Sequence, residues 1–371
     1  MKSEHFFNLK KISFAVIFAF LTTFSALAPQ AMAAPAATDA SEKKEFDIKG
    51  FIFHHIADAH EFTFWGSGDS WKGLYLPVIL WTDNGLVTFS SREFQRVDDG
   101  SLVLEKNGQR ITRYHGKIYY ASDVADKGHY VQYDEDGSVA NSRPLDFSIT
   151  KNVFTILLSV IALLWIFLSV AKSYRNRQGM APKGLQSFLE PLILFVRDEI
   201  AKPNLGHKYE PYMPYLLTVF FFIWFNNMLG LVPFFPGSAN VTGNIAVTVV
   251  LAAITFIITT VKGNKYYWGH IFNPPVPWWL KPLMIPVEIF GMFTKPAALA
   301  IRLFANITAG HILVLSLICL IFIFNSMSVV PVSIFFAVFI GLIELLVAFI
   351  QAFIFTILSA LFIGMAVEEH H

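Results

Sequence analysis

Residues 288–311 read Glu288-Ile-Phe-Gly-Met-Phe-Thr-Lys295-Pro-Ala-Ala-Leu-Ala-Ile-Arg302-Leu-Phe-Ala-Asn306-Ile-Thr-Ala-Gly310-His311. Glu288, Lys295 and Arg302 stand seven residues apart, nearly two helical turns. They therefore share one stripe that drifts only about 20° per step, provided the helix continues through Pro296. That stripe is charged, yet the segment around it, from Leu283 to Phe324, is apolar. An arginine at membrane depth costs at least about 2.5–3.5 kcal/mol on insertion scales, so Arg302 is expected to face protein or water and to meet an acid. Glu288 is about four turns away along the same helix, which leaves the partner to another chain. The plainer alternative, a guanidinium snorkelling to headgroups, fits poorly with apolar sequence that continues on both sides.

Asn306 lies one turn beyond Arg302 on roughly the same face, whereas His311 is nine residues on, or about 900°, and points the other way. The last apolar segment, Val332 to Val367, carries Glu344 and Gln351, again seven apart. A hairpin of the two segments can bring Gln351 near Arg302 and Glu344 near His311, and a His–Glu pair can pass protons along a hydrated path. Unrelated polar residues in separate pockets remain the alternative. Each segment exceeds the roughly 20 residues that cross a bilayer upright, so each must tilt, kink or protrude.

Outward from this pair, 54% of the 371 residues are hydrophobic and 15% charged, with a mean hydropathy of +0.52. That is too apolar for a soluble domain. A net charge of +1 offers no field for nucleic acid. Further spans are expected at 152–171, 213–235 and 241–261, with the mixed segment 185–201 lying on the interface. Lys172, Arg175, Arg177 and Lys183 follow the first span, and Lys262 and Lys265 follow the third, so those ends are expected in the cytoplasm. Five crossings then place Glu368 to His371 in the cytoplasm as well. The single cysteine, Cys319, allows no intrachain disulfide and no thiolate metal cluster.

Ahead of the spans, residues 1–33 have the layout of a cleaved secretory signal, with an uncleaved first helix as the alternative. Residues 34–150 are expected to form a β-rich domain outside the cytoplasm. Val78–Trp81 and Leu86–Phe89 flank Asn84-Gly85 as a hairpin, and Leu102–Leu104, Asn107-Gly108 and Ile118–Tyr120 repeat the pattern. His54, His55 and His60 could suggest a metal, but without ligand spacing an ordinary surface or packing role is the simpler reading. The fold class is thus mainly α, with about five membrane-crossing helices, a long tilted two-helix hairpin and a small β-rich domain. No phosphate-cradling glycine loop is present, and no cofactor is implied.

Arg302-Leu-Phe-Ala-Asn306 with Ala309-Gly310, Thr294-Lys295-Pro296, Phe225-Asn-Asn-Met-Leu-Gly-Leu-Val-Pro233, and Gln351-Ala-Phe-Ile-Phe355 with a Glu368-Glu369-His370 ending together resemble subunit a of bacterial F-type ATP synthases. The resemblance covers about 185–371. It implies a proton-translocating stator subunit of the inner membrane without a nucleotide site. Arg302 would be the stator arginine facing the acid of each rotor c subunit. Asn227, Glu288, Asn306, His311, Glu344 and Gln351 would match polar positions of two half-channels. The implied partners are the c-ring, the subunit b peripheral stalk, other synthase subunits and lipid. One familiar bacterial version has a glutamate where His311 stands and a histidine where Glu344 stands, so the pair is exchanged, and Gly230 replaces an aspartate. Sodium as the coupling ion stays open beside protons. A self-contained secondary transporter would show paired repeats, and a mere anchor for the exported domain would leave Arg302, His311 and Glu344 without a reason.

Overall fold

Short runs of alternating apolar and polar residues, closed by tight turns, build the amino-terminal part as strands. The computed structural model describes residues 57–65, 71–125, 128–134, 138–177, 179–232, 239–324 and 326–367. Residues 1–33, where a leader is expected, His54, His55 and Glu368 to His371 lie outside the described residues. Strands β1 (Glu61–Trp65) and β2 (Lys72–Tyr75) form a two-stranded ladder. β3 (Pro77–Thr82) and β4 (Gly85–Ser90) pair as the expected hairpin, and β5 (Asp99–Lys106), β6 (Gln109–Tyr114) and β7 (Lys117–Tyr120) form a meander. The short β8 (Leu145–Asp146) closes the first three-stranded sheet in the order β4-β3-β8.

The turns sort themselves by backbone chirality. Asn107 and Gly108 both take positive φ, 51° and 74°, as do His115 and Gly116 at 47° and 73°, so each pair makes the primed turn that matches strand twist. The β3–β4 turn differs from expectation. Thr82 pairs with Gly85, the turn centre is Asp83-Asn84, and only Gly85 is left-handed, at φ 108°. Val78, Leu80, Phe94, Ile111 and Ile118 pack into one core. Beside it the buried Arg113 meets Glu61 and Asp98, each at 3.3 Å, because a guanidinium taken from water needs its charge compensated.

The domain joins the helices without a linker. Lys151 N–H donates to Ala59 O at 2.7 Å, Asn152 N–H donates to the Asp58 carboxylate at 3.1 Å, and the Phe154 ring meets Phe62 edge-on at 5.9 Å. Helix α1 (Lys151–Asn176) starts here, capped by the Thr150 hydroxyl.

Helix α2 (Leu185–Phe195) accommodates Pro191, and a wider turn at Val196–Ala201 and a further turn at Lys202–Leu205 continue it. Then follow α3 (Met213–Leu231), α4 (Ile245–Lys262) and the short α5 (Lys265–Phe272), which was not expected. The two long helices α6 (Lys281–Phe324) and α7 (Val330–Val367) have 44 and 38 residues. Helix α6 does run through Pro296, so the stripe of Glu288, Lys295 and Arg302 holds. At 1.5 Å per residue it is about 66 Å long, twice a hydrocarbon core of roughly 30 Å. Among the described residues five helices (α1, α3 with the turn before it, α4, α6 and α7) are long and apolar enough to cross a membrane. The end of α6 from Leu317 and the start of α7 up to Phe339 belong to a compact unit separate from the rest.

Candidate functional site

The backbone carbonyl of Ala348 on α7 accepts a hydrogen bond from the buried Asn227 amide of α3 at 3.2 Å, and Asn227 in turn accepts one from the Thr242 hydroxyl at 2.6 Å. These two hydrogen bonds fix Asn227 in the wall of a cleft. Asn227, Asn306, His311 and Glu344 line it together with Leu231 and Val347. His311 Nδ1 stands 3.7 Å from Glu344 Oε1, with both side chains largely buried, 20% and 13% exposed. The expected hairpin contact between His311 and Glu344 is therefore present.

One glycine makes this approach feasible, and a second borders the cleft. The Glu344 carboxyl lies over the backbone of Gly310, where a Cβ would overlap its Oε1. At Gly230, a Cβ would stand 3.8 Å from His311 Nε2, so a longer side chain there would enter the same cleft. Neither Thr242 nor the role of Gly310 was visible in the sequence, since neither carries a charge or belongs to a spaced pattern. Only the contact reveals them.

Arg302 lies on the side of α6 away from His311, whereas Asn306, expected on roughly the Arg302 face, lines the His311 cleft. Arg302 is exposed, while its neighbours Leu299, Ala300 and Leu303 are buried. Among the described residues no carboxylate lies within ion-pair distance of it. Gln351 is buried at 4% exposure, and among the described residues no hydrogen bond joins it to Arg302; of the two expected hairpin contacts, the one between His311 and Glu344 is seen directly.

Toward the start of α6 the stripe meets a second cleft, where Thr255, Thr259, Tyr267 and Lys295 supply the polar side chains among Phe256, Met292 and Phe362. The Tyr215 hydroxyl is 2.6 Å from the Thr255 hydroxyl, which is 3.2 Å from that of Ser359. Lys295 places its ammonium 6.0 Å from the Phe362 ring centre. Glu288 lies 3.9 Å from His270 of α5, a partner the sequence reading did not supply. Burial first, and then the Glu288 charge, push the Tyr267 hydroxyl above its ordinary value. Along α6, Arg302 is about 14 Å from His311 and about 10 Å from Lys295, so it sits between the two clefts.

The family described as ATP synthase A chain matches residues 153–364, a span that contains both clefts and Arg302. The chain belongs to the ATP synthase A chain family. Among relatives of that family, a protein named ATP synthase subunit a from Chloroherpeton thalassium is 48% identical over 234 residues, 61% of this chain and 69% of its own length. ATP synthase subunit a 2 of Chlorobaculum tepidum is 50% identical over 228 residues, 60% of this chain and 64% of its own. ATP synthase subunit a of Myxococcus xanthus is 48% identical over 234 residues, 61% and 75%. About a third of the first two relatives thus falls outside the match. Residues 51–147 match a different family, described as a domain of unknown function (DUF8433). As a member of the ATP synthase A chain family with five apolar helices, the chain is a multi-pass membrane protein that carries an extra β-rich domain ahead of its first span.

Proposed function

We propose that this chain is the proton-translocating stator subunit of the Fo sector of an ATP synthase, with Arg302 as the fixed charge that a rotor acid passes. One observation carries the reading: an arginine exposed on a membrane-crossing helix, without a carboxylate beside it among the described residues, between two polar clefts. A guanidinium in that position requires an acid from a neighbouring chain, because an uncompensated charge in lipid is costly. A ring of small hairpin subunits, each with one carboxyl, supplies such acids in turn. A desolvated rotor carboxyl prefers its proton, and a nearby guanidinium favours the ionised form. Arg302 thereby makes deprotonation local and blocks a direct leak between the two clefts. Arginine suits the task better than lysine because it keeps its charge when desolvated and its fork bridges two carboxylates.

In this reading the cleft of Asn227, Asn306, His311 and Glu344 is the half-channel on the side of the β-rich domain. The cleft toward Lys295 and Glu288 serves the opposite side, and Gln351 belongs to the wall that faces the rotor. The lysines and arginines after α1 and α4 support a cytoplasmic position for those ends and for the carboxyl terminus. The domain of 34–150 then lies in the periplasm once a leader of 1–33 is removed, and 151–371 is the channel domain. Subunit b of the peripheral stalk is the other expected neighbour. The chain couples ion flow to synthesis but leaves nucleotide chemistry to other subunits.

Arg302→Ala is expected to abolish respiration-driven ATP synthesis in membrane vesicles while the complex still assembles with its c-ring, and Arg302→Lys should fail largely as well. Ordinary synthesis by the alanine variant would defeat the assignment.

A further inference from the structure

The β4-β3-β8 sheet has two apolar faces, and only one is covered. Val78 and Leu80 point into the domain core. On the opposite face Trp81, Leu86, Leu145 and Phe147 are 57%, 58%, 64% and 63% exposed. The register places them side by side, since Trp81 pairs with Leu86 on one flank and with Leu145 on the other. Phe147 N–H donates to Ile79 O and Ile149 N–H to Pro77 O, so Ile79, Pro77 and Ile149 continue the same face. Thr88 and Ser90 complete it opposite Ile79 and Pro77. None of these nine positions carries a charge. With strands about 4.8 Å apart and same-face residues about 6.8 Å apart, the patch covers about 300 Å². The largest patch on a typical monomer is of about this size, roughly 300–600 Å², and is often functional.

We propose that this sheet face rests on the membrane, with its side chains in the interfacial layer of the leaflet that α1 enters. The argument is continuity with the lipid-facing surface of α1. Ile149 is two residues and Phe147 four residues before Lys151, where the helix begins. The first outward residues of the helix, Val153, Leu157 and Ile161, are 39%, 50% and 64% exposed. The junction is rigid: Lys151 and Asn152 are hydrogen-bonded to Ala59 and Asp58, and Phe154 packs on Phe62. The nineteen residues from Val153 to Ala171 span about 28 Å as helix, the whole hydrocarbon thickness. Their first turn, and the domain fastened to it, must therefore lie at the headgroup level. Strands standing upright would immerse only Pro77 and Ile149 and leave the row of Trp81, Leu86 and Leu145 up to about 20 Å from the helix start, in water. The absence of charge along the full length of the face argues for strands laid along the surface instead. Tryptophan is enriched in that layer.

The test is spin-label accessibility in the assembled complex reconstituted into phosphatidylcholine liposomes. Labels are attached to Leu86→Cys or Leu145→Cys in a Cys319→Ala background. Asp123→Cys serves as a control, since the Asp123 side chain, in the segment after β7, is 97% exposed. The expected result is that oxygen relaxes the labels at 86 and 145 several-fold more than a water-soluble nickel chelate does, with the reverse at 123. Chelate access at 86 and 145 equal to that at 123 overturns the proposal in favour of a solvated face. Labels immobilised and shielded from both reagents overturn it in favour of a protein cover, whether a stalk subunit or a second copy of this chain.

Discussion

Gly310→Ala separates the geometry of the His311–Glu344 cleft from its composition, because it changes no polar group. The added methyl would overlap Glu344 Oε1 and stand 2.9 Å from Cδ and 3.0 Å from Cγ, whereas ordinary contact begins at 3.4 Å. The carboxyl must therefore move by roughly 0.5–1 Å or more. It is the far end of a flexible side chain, so the displacement costs on the order of 0.5–1.5 kcal/mol in rotamer strain, too little to unfold the bundle. The consequence falls on transfer instead. Glu344 now lies 3.7 Å from His311, and a misplacement of about 1 Å between exchanging groups lowers such a step by up to about 100-fold. We expect the Gly310→Ala complex to assemble normally and to lose ten- to a hundredfold in passive proton conduction, measured as acidification-driven dye quenching in vesicles stripped of the catalytic head. Adding Glu344→Asp, which is one methylene shorter, should return part of that loss. Unchanged conduction in a fully assembled Gly310→Ala complex would refute the idea that ions pass through this contact.

The β-rich domain offers independent tests. Arg113→Ala leaves Glu61 and Asp98 without their shared cation and should destabilise the domain by roughly 3–5 kcal/mol, seen as faster proteolysis within 57–147 of the full chain while the membrane helices stay resistant. At Asp146, burial acts to raise the carboxyl, but hydrogen bonds from His60 and Ser148 outweigh it and hold the group below its ordinary value. The unfolded chain thus takes up this proton at higher pH than the folded one, so the contribution is present above about pH 3.9 and is lost as the pH falls through the folded value. The stability gap between the wild type and Asp146→Asn should shrink below about pH 4 in thermal unfolding of the full chain, and a gap constant from pH 6 to 3 would contradict the assignment.

How much of this was legible before the fold was known depended on whether a property is local. Hydropathy over twenty or more residues depends on composition alone, so the apolar segments and their lengths were readable from the chain, whereas the continuation of α6 through Pro296 was a condition that only the structure met. Heptad spacing likewise placed Glu288, Lys295 and Arg302 on one face and His311 on another, because helical geometry is the same wherever a helix forms. The Asn107-Gly108 turn was readable for a similar reason, since its backbone conformation belongs to those two residues, while the Asp83-Asn84 turn one hairpin earlier was set by the strand register and went against the simple pattern. Contacts between helices are of another kind. That His311 meets Glu344, that Gly310 gives the carboxyl its room, that Thr242 orients Asn227, and that His270 reaches Glu288 all depend on how helices rotate and slide against one another. Sequence spacing within each helix constrains that only as far as which face is turned, and packing chooses the rest.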